Sequence, residues 1–377
     1  MEHHTVRLSS GDEEAIHKSL LKQVQIAVLT SPAMRLMNAT REGFDLQEQH
    51  RGVRVYARKS ASGGNETMSV SYSHLPFENI MYLLLAQSTE EHRIQQTLFF
   101  DDAFLDGCVL STILTPTEED PFQWYGIKYT RMVMSSYSFV DPRDMCYVEI
   151  SGTTVDIDGN SVLYVMRESL TLQDVPDVPN AIRCRIKSLS LHTECPNGTI
   201  EHCQFHYLNP FGTVPSFVFN SSRFRHSTVI ERYGQLINFK RMLELSKRTS
   251  FFPASQNACG SCSRVFWALT SRHACRSCCE VVCSNCCILI PRPKAQLYQA
   301  NLTIIKEEYC KTCYLQVRDS SSSSGVATSL LSSRYLPKDS EPSLGFRSPV
   351  GTVQSRRSYK TPSSKQATLS MIPPLRG

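Results

Sequence analysis

The sequence predicts an α+β body, a small cysteine-rich module and a disordered tail. Strand-like stretches with short turns lie between two amphipathic helical segments in the first 250 residues. Ten of the fifteen cysteines fall between Cys259 and Cys313, and the last sixty residues are rich in serine. With 377 residues, the chain has room for two domains.

The body is predicted to begin and end with helix. After Ser10 and Asp12, which suit a helix start, apolar residues recur every four positions from Ile16 to Val28. A short helix is predicted at Glu78–Gln87 and a final amphipathic helix around Ile230–Ile237. Consecutive strands with short turns predict an antiparallel sheet, and the terminal helices are expected to cover one of its faces. The predicted strands are Val53–Arg58, Met68–Ser73, Gln123–Met134, Met145–Ile150, Val162–Leu170, Arg183–Leu191 and Glu201–Tyr207.

The cysteine cluster contains four Cys-X2-Cys pairs. A pair of this spacing places two thiolates on one side of a tight turn, and two pairs complete a tetrahedral four-sulfur site for Zn²⁺. The sequence therefore predicts two Zn²⁺ ions, with Cys279 and Cys287 as spare thiols. The predicted ligands are Cys259, Cys262, Cys275, Cys278, Cys283, Cys286, Cys310 and Cys313.

The net charge of +5 is unevenly distributed. Residues 1–254 carry 24 basic and 29 acidic side chains, whereas residues 255–317 carry 7 and 3, and residues 318–377 carry 9 and 3. A basic C-terminal third predicts an acidic partner, such as an anionic lipid, a nucleic acid or an acidic protein.

Several classes of protein are not expected. No apolar stretch is long enough to span a bilayer, and the first 30 residues lack the apolar core of a signal peptide, so we expect a cytoplasmic protein. The body has no nucleophile elbow, phosphate-cradling glycine loop or His-Glu-X-X-His pattern, so we expect no enzyme. The five body histidines from His74 to His206 lack metal-ligand spacing and are expected on the surface or in the core.

Residues 10–250 resemble the START domain family. The resemblance rests on Gly52–Tyr56, on the strand entry Asp141–Tyr147 and on the loop Gly212–Pro215 before the final helix. It implies a helix-grip fold, in which a curved antiparallel sheet wraps a long C-terminal helix and encloses an apolar cavity for one lipid. Arg143 and Asp144 would either anchor a lipid head group or pair with each other, and the pairing is favoured.

Residues 255–317 resemble the FYVE zinc finger family. The matching segments are Cys262–Phe266, Arg272–Cys278, Val282–Cys286 and Tyr309–Tyr314. The resemblance implies a cross-brace, in which the first and third cysteine pairs hold one zinc and the second and fourth pairs hold the other. We expect the metal to supply most of the folding energy of so short a segment.

The same resemblance implies recognition of phosphatidylinositol 3-phosphate on endosomal membranes. Arg272, His273 and Arg276 would donate hydrogen bonds to the phosphate. The loop of Trp267, Ala268 and Leu269 would enter the bilayer interface. A core position for Trp267, covering zinc ligands, is an equally open interpretation.

Three positions depart from the family pattern and keep an alternative function open. Ser271 and Ala274 replace basic residues of the signature, and Glu308 stands where an arginine is usual. The first hypothesis is a peripheral lipid-binding protein, with a lipid in the body and a phosphoinositide at the finger. The alternative is a protein-interaction scaffold whose finger has lost lipid binding.

A ubiquitin ligase is disfavoured by the all-cysteine ligand set, and no nucleic-acid partner is expected, because the finger offers no base-reading helix. The tail, residues 318–377, is predicted to be disordered and basic.

Overall fold

The computed structural model describes residues 6–30, 32–61, 63–134, 140–215, 218, 227–246, 256–294 and 302–320. The predicted body–finger boundary at 250–255 lies outside these residues, and so does the predicted tail from residue 321 onwards. The α-helices are α1 (Ser10–Val28), α2 (Pro32–Arg41), α3 (Phe77–Leu84), α4 (Thr89–Phe100), α5 (Tyr233–Leu245) and α6 (Lys311–Ser320). Helix α6 therefore includes the first three residues of the segment predicted as tail.

The body is built on one ten-stranded sheet, and the finger adds two short strand pairs. The order along the large sheet is β1-β2-β3-β10-β9-β7-β6-β5-β4, with antiparallel neighbours, and β8 pairs parallel with β6. This confirms the predicted α+β class. The strands are β1 (Asp45–His50), β2 (Val53–Lys59), β3 (Asn65–Ser73), β4 (Phe104–Leu114), β5 (Trp124–Met132), β6 (Arg143–Val155), β7 (Ser161–Ser169), β8 (Ile182–Arg183), β9 (Arg185–Glu194), β10 (Ile200–Asn209), β11 (Arg272–Ala274), β12 (Val281–Cys283), β13 (Cys287–Lys294) and β14 (Thr303–Cys310).

Helices cover both faces of the large sheet, whereas the sequence predicted cover on one face. Helix α1 packs Ile16 and Leu20 against one face, beside Tyr125 of β5. Helices α3, α4 and α5 pack on the other face, where Trp124 belongs to their apolar cluster. Strand β6 is accordingly buried over its first ten residues without alternation, as expected of a strand covered on both sides.

The long C-terminal helix of the predicted helix-grip is α5. A 3-10 turn at Val229–Arg232 leads directly into it, and Leu236, Ile237 and Met242 of this helix are buried. Helices α2 and α4 and strands β1 and β4 were not predicted. The two strands form the two ends of the large sheet.

Candidate functional site

The finger brings the eight predicted cysteine ligands together in two sets of four. Within each set, the sulfur atoms all lie within 4.8 Å of one another. The Sγ–Sγ distances are 3.9 Å between Cys262 and Cys283 and 3.8 Å between Cys278 and Cys310. Zn–S bonds of about 2.3 Å place the edges of a tetrahedral four-sulfur site at about 3.8 Å. The donor sets therefore fit two Zn²⁺ ions, one held by Cys259, Cys262, Cys283 and Cys286 and the other by Cys275, Cys278, Cys310 and Cys313.

Short turns and strand ends hold these sulfurs in an interleaved order. The first turn closes through a hydrogen bond from the Ser263 amide to the Cys259 carbonyl, with Ser263 at a positive φ of 59°. Cys310 ends β14, and Cys313 lies in the first turn of α6. The amide of Cys313 also donates to Cys310 Sγ at 3.3 Å, which stabilises a thiolate at that position. Cys279 and Cys287, the predicted spare thiols, lie outside both sets.

The strand predicted to bind phosphate, β11, carries an internal negative partner. Imidazole Nδ1 of His273 lies 2.8 Å from Glu308 Oε1, and its Nε2 lies 3.1 Å from the Ser284 hydroxyl. The amide of Ala274 donates to the other oxygen of Glu308 at 3.2 Å. One carboxylate thus contacts both the imidazole and a backbone amide of this strand. The sequence identified Glu308 as unfavourable for binding an anion, but it did not show that Glu308 forms hydrogen bonds with β11.

The two arginines predicted at this site remain exposed. The Arg272 guanidinium lies 5.1 Å from the ring centroid of Phe266, a cation–π contact that orients the side chain at the strand entrance. The backbone amide of Arg276 donates to the Glu308 carbonyl at 2.9 Å, which fixes its main chain beside β14. Both positive charges therefore face solvent on either side of His273.

The predicted membrane loop is a compact and exposed apolar turn. Trp267 is 73% exposed and Leu269 is 99% exposed, and Ala268 between them is exposed as well. The turn is closed by the Thr270 amide, which donates to the Trp267 carbonyl at 2.9 Å, and by the Thr270 hydroxyl, which accepts from the Trp267 amide at 3.1 Å. Trp267 therefore does not cover the zinc ligands, which was the other open interpretation.

The finger packs against the last helix of the body. Ile290 and Tyr309 are fully buried and share an apolar cluster with residues of α5. The ring of Tyr314 meets Phe239 edge to face, with 6.1 Å between centroids. At the rim, Arg292 Nη1 donates to the Ser246 hydroxyl at 3.2 Å. The β13–β14 hairpin and α6 thus form an apolar interface with the body.

In the body, Arg143 and Asp144 do not pair with each other, so the favoured expectation was wrong. They are neighbours on β6, and neighbouring side chains of a strand point to opposite faces. Asp144 instead accepts two hydrogen bonds from Arg183, at 3.0 and 2.9 Å. Arg143 donates to the carbonyls of Asp141, Pro210 and Phe211. Its role in the structure is to hold the loop before the final helix, where Gly212 has a positive φ of 62°.

A cavity of about 170 Å³ lies between the sheet and helices α4 and α5. Phe99 and Phe100 of α4 and Met132 and Met145 of the sheet contribute apolar lining, and Tyr233 of α5 contributes a hydroxyl. The resemblance implied a cavity at this place between sheet and final helix. The side chain of Arg143 is part of its wall, although its nitrogen atoms are bonded to carbonyls.

Three of the five body histidines are core residues. His92, His192 and His202 are fully buried, and Nδ1 of His192 lies 2.7 Å from Nδ1 of His202 across the paired strands β9 and β10. His202 Nε2 lies 2.7 Å from the Ser73 hydroxyl. In the part of the chain that the structure describes, the groups able to hold a metal ion are the two cysteine sets.

Solved structures of START-related proteins are similar to the body. Human StAR-related lipid transfer protein 5 aligns with a TM-score of 0.42 and 14% identity, over 59% of this chain and 99% of that one. A STAR-related lipid transfer protein fragment from Xanthomonas axonopodis aligns with a TM-score of 0.40 and 15% identity, over 52% and 98%. Human STARD10 aligns with a TM-score of 0.36 and 12% identity, over 62% and 84%.

Curated proteins match a short segment of this chain. The phosphatidylinositol-3,5-bisphosphate 3-phosphatase MTMR4 of Xenopus laevis is 42% identical over 57 residues, which are 15% of this chain and 5% of that protein. The human protein of the same name is 38% identical over 61 residues, or 16% and 5%. The chain thus spans about 5% of the length of the curated relatives it matches.

The family model described as "FYVE zinc finger" matches residues 253–319. This range contains both cysteine sets, the basic strand β11 and the exposed apolar turn. Among the residues that the structure describes, no helix is both long and apolar enough to cross a membrane. The chain therefore carries a FYVE zinc finger whose two cysteine sets fit two Zn²⁺ ions, and this finger follows an α+β body.

Proposed function

We propose that this is a non-enzymatic peripheral membrane protein whose finger recognises a phosphoinositide with a 3-phosphate, on the cytoplasmic face of endosomal membranes. In this proposal, Arg272, His273 and Arg276 bind the phosphate, and the turn Trp267–Leu269 enters the bilayer interface. The curated relatives are named for a 3-phosphorylated phosphoinositide, the same lipid class. The body would carry a hydrophobic lipid in its cavity.

The observation that carries the proposal is the exposed apolar turn next to the basic strand. Only Thr270 and Ser271 separate Leu269 from Arg272, so apolar and cationic side chains are presented within a few residues of one another. A tryptophan and a leucine that make so little contact with the protein have a favourable place at a membrane interface, where the tryptophan ring meets both apolar and polar groups. The neighbouring arginines meet the phosphate layer.

A sedimentation assay with the full-length, zinc-loaded chain tests this proposal. Neutral phosphatidylcholine vesicles would be compared with vesicles containing phosphatidylinositol 3-phosphate or phosphatidylinositol 4-phosphate. We expect selective binding to the 3-phosphate vesicles. Arg272→Ala should reduce it about tenfold or more, since a hydrogen bond to a charged group contributes about 1.5–3 kcal/mol. Lys294→Ala is the matched control, because Lys294 is an exposed cation at the far end of β13. Equal binding to all vesicles would contradict the proposal.

The alternative function is a protein-interaction scaffold, and the contact of Glu308 with β11 favours it. A carboxylate already satisfies His273 and the Ala274 amide, so the finger does not need an external anion to complete this strand. If neither the natural chain nor Glu308→Gln bound any phosphoinositide vesicle, lipid recognition would be refuted. The exposed turn would then be a surface for a protein partner.

A further inference from the structure

A second cavity of the body lies on the face of the large sheet that carries helix α1, opposite the cavity beside α5. Its volume is about 320 Å³. It opens at the surface between α1 and α2, where Ile26 is 60% exposed and Glu42 is exposed as well. We call it the α1–α2 pocket, and its lining includes Ala27, Asn38, Phe44, Met166, Phe205 and Tyr207.

Aromatic side chains make the floor of the α1–α2 pocket apolar. Phe44 lies between α2 and the sheet, and Phe205 and Tyr207 occupy alternate positions of β10, so they point to the same face. Met166 of β7 adds a thioether. Grooves lined by aromatic rings bind extended segments that contain proline, because the proline ring packs flat on an aromatic face.

The charged side chains that line the pocket are all paired within the protein. The pairs are Arg35–Glu201, Arg58–Glu66, Arg58–Glu42 and Lys187–Glu168, with N–O distances of 2.6–3.3 Å. A charged guest would lose its hydration here without gaining an unpaired partner of opposite sign. The pocket therefore favours an uncharged guest.

Two hydrogen-bond donors of the pocket are open. Within the described residues, neither the Tyr207 hydroxyl nor the Asn38 side-chain amide forms a hydrogen bond, and neither group is completely buried. A guest that supplies carbonyl oxygens would satisfy both donors. Proline residues supply carbonyl oxygens and have no N–H group, so they bring no donor that the pocket would leave unpaired.

The sequence contains one pair of adjacent prolines, Pro373 and Pro374, and this pair lies outside the described residues. Ile372 and Leu375 flank it, and residues 369–375 carry no charge. The other apolar cluster of the same part of the chain, residues 330–336, includes Arg334. The proline segment is therefore the better match to a pocket whose charges are already paired.

The pocket has room for this segment, and the chain is long enough to bring it there. A cavity of about 150 Å³ admits benzene, so about 320 Å³ admits about twice as many carbon atoms, or about twelve. The side chains of Ile372, Pro373 and Pro374 together have about ten. The 50 residues from 321 to 370 span up to about 160 Å beyond the end of α6, several times the width of a domain.

From the aromatic floor, the paired charges and the open donors, we infer that the α1–α2 pocket binds residues 371–375 of this chain in an extended polyproline conformation. Pro373 and Pro374 pack on Phe205 and Tyr207, and carbonyl oxygens of the segment accept from the Tyr207 hydroxyl and the Asn38 amide. A polyproline segment is extended before it binds, so it loses little conformational entropy.

This interaction goes beyond the proposed function and does not depend on it. Its consequence concerns the basic segment between α6 and residue 371, which contains seven basic and two acidic side chains. With residues 371–375 in the pocket, this segment is anchored to the protein at both ends, at α6 of the finger and at the outer face of the body.

Fluorescence anisotropy with a labelled peptide of residues 366–377 tests the inference on the full-length, zinc-loaded chain. In a variant chain, Ile372→Asp and Leu375→Asp disable the chain's own segment, and we expect the peptide to bind this variant. The natural chain should bind the peptide about tenfold or more weakly, because its own segment competes at an effective concentration of about millimolar. The matched control chain carries Leu330→Asp and Leu331→Asp and should behave as the natural chain does.

Two results of this assay would overturn the inference. One is that the peptide does not bind the disabled variant. The other is that the natural and the disabled chain bind it equally, which would mean that the chain's own segment does not occupy the pocket. A peptide in which alanine replaces both prolines should bind the disabled variant about tenfold more weakly, since it loses the preformed polyproline conformation.

Substitutions in the disabled chain assign the peptide to the α1–α2 pocket. Tyr207→Phe should weaken binding about three- to tenfold, because it removes one donor, whereas Tyr56→Phe on the neighbouring strand β2, outside the lining, should have no effect. Ala27→Trp fills the pocket and should weaken binding about tenfold or more. Gln25→Trp puts the same side chain on the exposed side of α1 and should not.

Binding that neither Tyr207→Phe nor Ala27→Trp weakens would place the peptide elsewhere and would also overturn the inference. If Ala27→Trp does not fold, Tyr207→Phe still decides, because it keeps the ring and changes only the hydroxyl group.

Discussion

The buried histidines predict that the body loses stability in mild acid. His92, His192 and His202 are fully buried on the cavity side of the sheet or in the helices that cover it. Burial lowers the pKa of His92 to about 3, with help from the charge of Lys128, and lowers that of His202 to about 4. Burial also lowers the pKa of His192 well below its usual value, and the contact with His202 adds to this effect.

The direction and size of the effect follow from proton binding. Above pH 6.5 these histidines are neutral in both the folded and the unfolded chain, so they add no pH dependence. Below pH 6.5 the unfolded chain binds protons that the folded chain cannot accept until the pH reaches about 4 or lower. Each histidine then lowers the free energy of unfolding by about 2 kcal/mol when the pH falls from 7 to 5. The three together cost about 4–6 kcal/mol, which is a large part of the stability of an ordinary domain.

Urea unfolding at pH 7 and pH 5 measures this cost. Acid also releases zinc from cysteines, so the signal must come from the body. The chain has two tryptophans, and Trp267→Phe leaves buried Trp124 as the single reporter. In this background, His92→Gln should remove about 2 kcal/mol of the pH dependence, because glutamine binds no proton in this range.

The matched control is His74→Gln, which removes an exposed histidine of the same body and should leave the pH dependence unchanged. The reasoning would be refuted if the free energy of unfolding differed by less than about 1 kcal/mol between pH 7 and pH 5. It would also be refuted if His92→Gln and the natural chain had the same pH dependence.

Three further predictions concern the finger. Glu308→Gln should tighten binding to 3-phosphoinositide vesicles about fivefold, or about 1 kcal/mol for a partly exposed charge, whereas Glu280→Gln should not, as measured by sedimentation. Leu269→Ala should weaken the same binding about tenfold, since less apolar surface enters the membrane, whereas Leu315→Ala on α6 should leave it unchanged. Chelation of zinc should destabilise the body by about 2–3 kcal/mol in the Trp124 signal, because Ile290 and Tyr309 lose their ordered contact with α5; an unchanged transition would show that the two parts are independent.

The metal site was predictable from sequence because its geometry is local. Each Cys-X2-Cys pair fixes two sulfurs within one turn, and the folded chain only has to bring pairs together. The strands of the body were also largely predictable, since β-branched and aromatic residues mark β5, β7 and β10. Their ends differ by a few residues, which is where the local pattern carries least information.

Helix α4 was missed because its buried side chains are partly polar. His92, Gln95 and Gln96 are buried in it, so its apolar residues do not repeat with a helical period. The Gln95 amide nitrogen donates to the carbonyls of Leu83 and Leu84, at 3.0 and 2.6 Å, and thereby satisfies the end of helix α3. The role of Gln95 depends on a helix that is its neighbour in space. The local sequence pattern around Gln95 does not reveal that contact.

Glu308 in the finger also makes a contact that the local sequence does not reveal. Sequence comparison treats it as a lost arginine, but in the structure it is an internal anion that bonds His273 and the Ala274 amide. Under the proposed function, an incoming phosphate would compete with this carboxylate for the same donors. The carboxylate is 38% exposed, so it can leave β11 without being buried elsewhere. Because a phosphate monoester carries more charge than a carboxylate and has three acceptor oxygens, the exchange can favour the lipid. The affinity gained by Glu308→Gln would measure the free energy of this exchange.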